Sequence, residues 1–106
     1  MMSKSIHYYI KENGKALFLE WINSLDITQQ VIVDRYIQRL AQGGAKKAIR
    51  NLKVGVFEIK IPYASGLRVY FGKDGDTVIL LLIGGNKNTQ KGDIKKAKEY
   101  WSIYGK

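Results

Sequence analysis

The residue types that could do chemistry in this sequence are basic and polar, and they lie mainly in its second half. The segment LLLIGGNKNTQKGD, residues 80–93, runs from an apolar stretch through Gly84-Gly85 into amide, hydroxyl and basic side chains. The segments VFEIKI and LRVYF before it carry further charged residues. Arg and Lys stabilise an anionic intermediate, and a lysine surrounded by other cations gives up its proton more readily. These residues suit the binding or cleavage of a phosphodiester.

Several other catalytic centres are excluded by composition. The chain has no cysteine, and His7 is its only histidine, which excludes a histidine-cysteine zinc site and a serine protease triad. The close carboxylates Asp74 and Asp76 flank a turn glycine, whereas a two-metal nuclease needs clustered acids. The segment GKDGD lacks the lysine-serine/threonine ending of a phosphate loop. We therefore expect no metal and no cofactor.

RNA could be cleaved by the residues that remain. The 2′-hydroxyl of RNA is a built-in nucleophile, so a protein needs only to orient it, stabilise the charged intermediate and help proton transfer. DNA lacks this hydroxyl and would not react in this way.

The charge of the chain is strongly positive. Its 106 residues include 18 Lys and Arg against 9 Asp and Glu, a formal net charge of +9. Such a small basic protein attracts polyanions: nucleic acid first, then an acidic protein, then an anionic membrane, although simple solubility would also explain the charge. No signal peptide or membrane-spanning stretch is present, so a single cytoplasmic domain over residues 1–106 is expected.

The pattern of apolar residues predicts an α+β fold. SIHYYI favours a first strand, and Phe18, Trp21, Ile22 and Leu25 form one stripe of an amphipathic helix. A second helix follows, with Asp26 as its N-cap. Three strands then form an antiparallel meander, and a C-terminal helix carries apolar residues at helical spacing, which include Ile94, Ala97, Trp101 and Tyr104. We expect a mostly antiparallel sheet with the helices on one side.

Strand register predicts where the polar side chains meet. Pairing Ile61 with Leu67 places Lys60 opposite Arg68 and Glu58 opposite Tyr70 on an exposed face. Like charges in such a pair are unfavourable, which often marks a functional site, although an ordinary solvated face would look the same. For the next hairpin, a two-residue Asp74-Gly75 turn would pair Lys73 with Asp76.

The end of the last strand should complete the same patch. Gly84-Gly85 would let the backbone turn sharply and bring the following polar residues beside the sheet face, namely Asn86, Lys87, Thr89, Gln90 and Lys91. The amides that begin the C-terminal helix would add an anion-attracting dipole.

Residues 54–101 resemble the RelE/ParE superfamily of toxins, and more closely its HigB-like addiction-module killer branch. The resemblance rests on GVFEIKI, on RVYF and on GGNKNTQKGDIKKA. It implies a RelE-like fold and a toxin of a type II toxin–antitoxin pair from a bacterium or phage. Most characterised relatives cut mRNA in the ribosomal A site without metal.

The resemblance also implies roles for individual residues. The catalytic basic residues of the family's sheet correspond to Lys60 and Arg68, with Glu58 beside them, and the catalytic basic residue after its last strand corresponds to Lys87. Where several relatives have a tyrosine or histidine near the next helix, this chain has Gln90, which cannot act as a general acid or base. We expect RNA contacts from further residues, which are Lys46, Lys47, Arg50, Lys53, Lys91 and Tyr70; for the first four, a solvated loop is the alternative.

Three functions remain open from the sequence. The first is a ribosome-dependent endoribonuclease, an mRNA interferase that acts by metal-independent 2′-hydroxyl attack. The second is a ParE-like, non-catalytic inhibitor of DNA gyrase, and the third is a non-toxic nucleic-acid-binding module. Either toxin would have an acidic antitoxin as partner, a small helix-turn-helix protein encoded alongside it; the first would also engage mRNA and the ribosome. No membrane partner is expected.

Overall fold

A computed structural model describes residues 3–64 and 66–105. Five strands and three α-helices follow one another along the chain: β1 (Ser5–Tyr8), α1 (Leu17–Asn23), α2 (Ile27–Ala41), β2 (Ile49–Asn51), β3 (Val56–Ile61), β4 (Leu67–Asp74), β5 (Val78–Gly85) and α3 (Gln90–Tyr104). A short 3₁₀ helix, Lys46–Ala48, precedes β2. The predicted α+β class and element order are confirmed, with one strand added: β2 lies in the basic segment that was predicted to be only a connection.

The strands form one mostly antiparallel sheet in the order β1-β5-β4-β3-β2. The exception is β1, which pairs with β5 in parallel. The β3–β4 register is the one predicted, with Lys60 opposite Arg68 and Glu58 opposite Tyr70. This arrangement makes β5 and β4 central and leaves β1 and β2 as edges.

The predicted β4–β5 register is wrong. Asp74 pairs with Val78 and Lys73 with Ile79, so the connecting loop has three residues, 75–77, in place of the predicted two-residue turn. Gly75 takes a positive φ of 65° at the start of this loop, a conformation that glycine adopts without strain. A bulge at Tyr70 and Phe71 shifts the register again, and Arg68 consequently lies opposite Gly85.

The helices cover both faces of the sheet, so the prediction of helices on one side is wrong. Buried residues of α1 and α2, such as Phe18 and Val33, form one core with Ile79 and Leu81 of β5. Ala97 and Tyr100 of α3 form a second core with Leu80. Because successive residues of a strand point to opposite faces, the continuous apolar run of β5 supplies both cores.

Local signals fix the helix ends that position the site. Asp26 caps α2 through a capping box, in which its carboxylate accepts from the backbone N–H of Gln29 at 2.8 Å. Helix α3 follows a tight turn in which the Asn86 side chain accepts from the backbone N–H of Asn88 at 2.8 Å. Among the described residues, no helix has the length and apolar character needed to cross a membrane.

Candidate functional site

A groove of about 510 Å³ lies at the end of β3 and the start of β4. Residues from five segments of the chain line it. One part of the lining is charged or polar and the other is largely apolar. The lining residues are Tyr36, Lys47, Ala48, Ile49, Arg50, Glu58, Lys60, Pro62, Arg68 and Gln90. Six of the predicted site residues therefore come together here.

Arg68 is the buried cation of the groove. Only 6% of its surface is exposed, yet its contacts leave part of the guanidinium unused. Nη1 donates to the carbonyl of Gly66 at 2.7 Å, whereas Nε has no hydrogen-bond partner among the described residues and lies 3.8 Å from Glu58 Oε2. Nε is buried beside the Glu58 carboxylate, whereas Arg68 as a residue lines the groove, which makes its guanidinium a candidate contact for an anion.

Glu58 connects the basic residues to helix α3. Its carboxylate is almost fully buried; Oε1 lies 3.4 Å from Arg50 Nη2, and Oε2 accepts from Gln90 Nε2 at 2.9 Å. These contacts hold the carboxylate in place between the two arginines. Glu58 therefore orients Arg68 and ties the first residue of α3 to the sheet.

The remaining cations of the groove are exposed. Lys60 lies directly across from Arg68, and Lys47 and Arg50 belong to the adjoining 3₁₀ helix and β2. Among the described residues, Lys60 makes no ion pair and its side chain donates no hydrogen bond. An exposed lysine next to a buried arginine gives an anion one mobile and one fixed contact.

The Gly84-Gly85 pair has a different role from the predicted one. Both glycines still belong to β5, and neither has a positive φ, so they do not turn the chain. A side chain at Gly84 would collide with the Trp21 ring, and one at Gly85 would collide with Asp93 and Thr89. The glycines let α1 and the start of α3 approach the sheet closely.

Asp93 is a buried carboxylate that the sequence analysis missed. It lies in the first turn of α3, where it accepts from the Thr89 hydroxyl at 2.5 Å, and it is 7% exposed. Its negative charge already occupies the positive end of the helix dipole. The predicted anion attraction by the α3 amides is thereby offset.

Tyr70 does not lie on an exposed face. It is fully buried because α3 covers this part of the sheet, and Glu58 and Arg68 are nearly buried as well. The prediction that these side chains lie on an exposed face is therefore wrong. Its hydroxyl lies near Glu58, although it has no hydrogen-bond partner among the described residues. Burial raises the pKa of Tyr70 far above its usual range, and the charges of Glu58 and Asp93 raise it further. Tyr70 therefore has no exposed surface with which to make the predicted contact with RNA.

Four predicted basic residues do not line the groove: Lys46, Lys53, Lys87 and Lys91. All four are exposed, and Lys87 lies in the turn between β5 and α3. In the opposite direction, sequence reasoning missed Tyr36 and Pro62 as lining residues. Tyr36 stands at helical spacing with Val33, Ile37 and Leu40, which indicates the inward face of α2 but gives no sign that the ring reaches the groove.

No metal centre is evident in residues 3–64 and 66–105. No group of three or more His, Cys, Asp or Glu side chains in these ranges is placed to hold a metal ion. The two buried carboxylates in these ranges already have partners: Thr89 donates to Asp93, and Glu58 contacts Arg50 and Gln90.

Comparison with known proteins gives the chain a family. Residues 20–101 match the family described as "Phage derived protein Gp49-like (DUF891)". An uncharacterised protein of Haemophilus influenzae is 35% identical over 82 residues, which cover 76% of this chain and 82% of that protein. The chain therefore belongs to the phage-derived Gp49-like family, a family of RelE-like toxins associated with toxin–antitoxin systems.

Proposed function

We propose that this protein is a ribosome-dependent endoribonuclease of the HigB-like branch that cleaves translated mRNA by attack of the RNA 2′-hydroxyl. The observation that carries the proposal is Arg68, a nearly buried guanidinium that is held beside Glu58 and lines an open groove. Such a group suits a phosphate that gains negative charge as the reaction proceeds.

In the proposed reaction, the protein aligns the RNA and stabilises charge. The 2′-hydroxyl loses its proton as its oxygen attacks the adjacent phosphorus, and the bond to the 5′-oxygen of the next nucleotide breaks as that oxygen gains a proton. A 2′,3′-cyclic phosphate and a 5′-hydroxyl result. Arg68 stabilises the intermediate from inside the groove, and Lys60, exposed across the strand pair, is placed to assist charge stabilisation and proton transfer.

Glu58 and Gln90 act as positioning residues in this proposal. Their mutual hydrogen bond of 2.9 Å and the ion pair of Glu58 with Arg50 fix the carboxylate beside Arg68. Gln90 has no titratable proton, so proton transfer falls mainly to Lys60. The catalytic role of Lys87 stays a prediction; this lysine lies in an exposed turn and does not line the groove.

The proposal includes the partners that the family suggests. An acidic antitoxin encoded beside the toxin would neutralise its charge of +9 and cover the groove. The ribosome and its mRNA would be the target, which places the protein in the cytoplasm.

The proposal is tested by inducing the protein in a bacterial host and mapping new RNA 5′ ends. We expect translation to stop and cuts to appear within translated codons. Lys60→Ala should strongly reduce these cuts, whereas Lys96→Ala, which removes the same charge from an exposed position of α3 outside the groove, should not.

Two outcomes would contradict the proposal. Growth arrest with uncut mRNA, together with inhibition of purified DNA gyrase, would show a gyrase-binding toxin. Unimpaired growth at high expression, with salt-sensitive binding to RNA and DNA alike, would show a nucleic-acid-binding module.

A further inference from the structure

The groove lining has an apolar part that phosphate binding does not explain. Besides its cationic residues, the lining includes Tyr36 from α2, Ala48 and Ile49 around the start of β2, and Pro62 after β3. A site for phosphate alone would need only the charged part. A groove with both parts suits a ligand that carries an anion and a flat apolar group.

Tyr36 is the aromatic member of this lining. It is half-buried, packs at its inner side against the core beneath α1 and α2, and contributes to the groove wall. The guanidinium carbon of Arg39 lies 5.3 Å from the centre of its ring, which helps to fix the ring orientation. A ring held in this way loses little conformational freedom when a second flat group stacks on it.

We propose that this apolar part is a base-stacking subsite, in which one nucleobase of the RNA packs against Tyr36 while its phosphate contacts Arg68 and Lys60. The inference rests on the proposed RNA substrate and adds which part of the substrate the apolar and the cationic lining residues hold. The cavity of about 510 Å³ is of the size that binds small molecules, which accommodates a single nucleotide. Stacking on one ring accepts every base, so this subsite gives affinity without a strict sequence preference.

The first test uses the unmodified protein. Nuclear magnetic resonance titrations would compare adenosine 3′- and 5′-monophosphates with ribose 5-phosphate and with inorganic phosphate. We expect one of the two nucleotides to bind about ten- to a hundredfold more tightly than ribose 5-phosphate, the loss typical of removing a stacked base. Equal affinity for both nucleotides and the baseless compound would overturn the inference.

A second test uses variants of the ring. Tyr36→Leu should lower nucleotide affinity to the level of ribose 5-phosphate and leave affinity for ribose 5-phosphate unchanged, whereas Tyr36→Phe should bind the nucleotide as the unmodified protein does. Equal weakening of both ligands in Tyr36→Leu would indicate a purely structural ring and contradict the inference. The result with the unmodified protein decides the matter if Tyr36→Leu fails to fold.

The subsite and the proposed function can fail separately. Cleavage of translated mRNA by a protein that shows no preference for nucleotides over ribose 5-phosphate would leave the function standing and remove the subsite. A preference that depends on Tyr36, in a protein that cuts no mRNA, would retain the subsite and remove the function.

Discussion

The two ends of helix α3 contact the same sheet in opposite ways. At its C-terminal end, Trp101 packs over Gly55 and Gly72, so closely that a side chain at either glycine would collide with the indole ring. At its N-terminal end, Gln90 and Asp93 meet charged and hydroxyl groups, and two buried polar atoms, on Arg68 and Tyr70, lack a hydrogen-bond partner among the described residues. The C-terminal end packs an indole ring against glycines and adds one exposed hydrogen bond, from the Tyr104 hydroxyl to Asp74 at 2.7 Å. The N-terminal end is a largely buried polar network in which these two donors of the described chain remain unbonded.

The difference separates stability from function. Close packing of a ring against glycine stabilises the fold and leaves no room for a ligand. Buried donors without partners weaken the fold, and natural proteins retain such features mainly at functional sites. Substitutions at the C-terminal end of α3 should therefore change stability, and those at the N-terminal end should change activity.

The largest effect is expected for Arg68→Met. It removes the buried guanidinium and keeps a side chain of similar length, so cleavage of ribosome-bound mRNA should fall about 100- to 1,000-fold, as when one charge-stabilising donor is lost. Glu58 keeps Arg50 and Gln90 as partners, so the protein should still fold. Single-turnover cleavage assays on purified protein measure the rate, and urea denaturation measures the free energy of unfolding. Cleavage within threefold of the unmodified rate would contradict the proposed role.

Gly72→Ala tests the apolar end of α3. The added methyl group would overlap the Trp101 ring, so the free energy of unfolding should fall by about 1–3 kcal/mol, with cleavage per folded molecule unchanged. Gly92→Ala is the matched control: its methyl group meets no atom, and alanine in a helix should raise the free energy of unfolding by about 0.5–1 kcal/mol. Urea denaturation of the unmodified protein, Gly72→Ala and Gly92→Ala measures these differences in the free energy of unfolding; equal values for the two variants would contradict the close packing of Trp101 on Gly72.

Gly85→Ala makes the same change at the polar end. Its methyl group would displace Asp93 and Thr89, so the destabilisation should resemble that of Gly72→Ala, about 1–3 kcal/mol. It should also lower cleavage per folded molecule, because Gln90 would move away from Glu58. If Gly72→Ala and Gly85→Ala reduced cleavage per folded molecule equally, the separation of stability from function along α3 would be wrong.

The smallest effect is expected for Tyr70→Phe. Removing a buried hydroxyl that has no hydrogen bond should leave the free energy of unfolding near pH 7 unchanged or raise it by up to about 1 kcal/mol. A loss of more than about 1 kcal/mol would instead show that the hydroxyl is bonded to Glu58.

The same variant gives a pH dependence. Burial raises the pKa of Tyr70 in the folded protein above its unfolded value of about 10, so this residue favours folding below pH 10 and loses that contribution as the pH rises further. The unmodified protein should therefore lose stability more steeply than Tyr70→Phe above pH 10. Urea denaturation of both proteins between pH 9 and pH 11 measures the difference; parallel curves would contradict the assignment.

Much of the fold followed from the sequence because its signals are local. The capping box at Asp26 and the alternation in β3 and β4 were visible, and the latter gave the pairing of Lys60 with Arg68. The β4–β5 register was not predictable, because a three-residue loop and a bulge shift it and neither has a clear local signal. Strand β2 was missed because its three residues are too few to show a period.

The site was predictable in part. Parity along the strands placed Glu58, Lys60 and Arg68 on one face, and the structure brings them together with Gln90 in the groove. The burial of Arg68 and Tyr70 could not be predicted, since it depends on how closely α3 approaches β4 and β5. The glycine pair of β5 allows this close approach. In sequence, however, a glycine pair that ends a strand cannot be told apart from one that lets a helix pack closely on it.

The central claim is that the groove promotes attack by the RNA 2′-hydroxyl. Its most direct test is to present purified protein with ribosome-bound mRNA that carries a single 2′-deoxynucleotide at a mapped cleavage position. We predict cleavage of the all-ribose message with a 2′,3′-cyclic phosphate on the upstream fragment, and no cleavage at the deoxynucleotide. Cleavage at the deoxynucleotide would contradict the account.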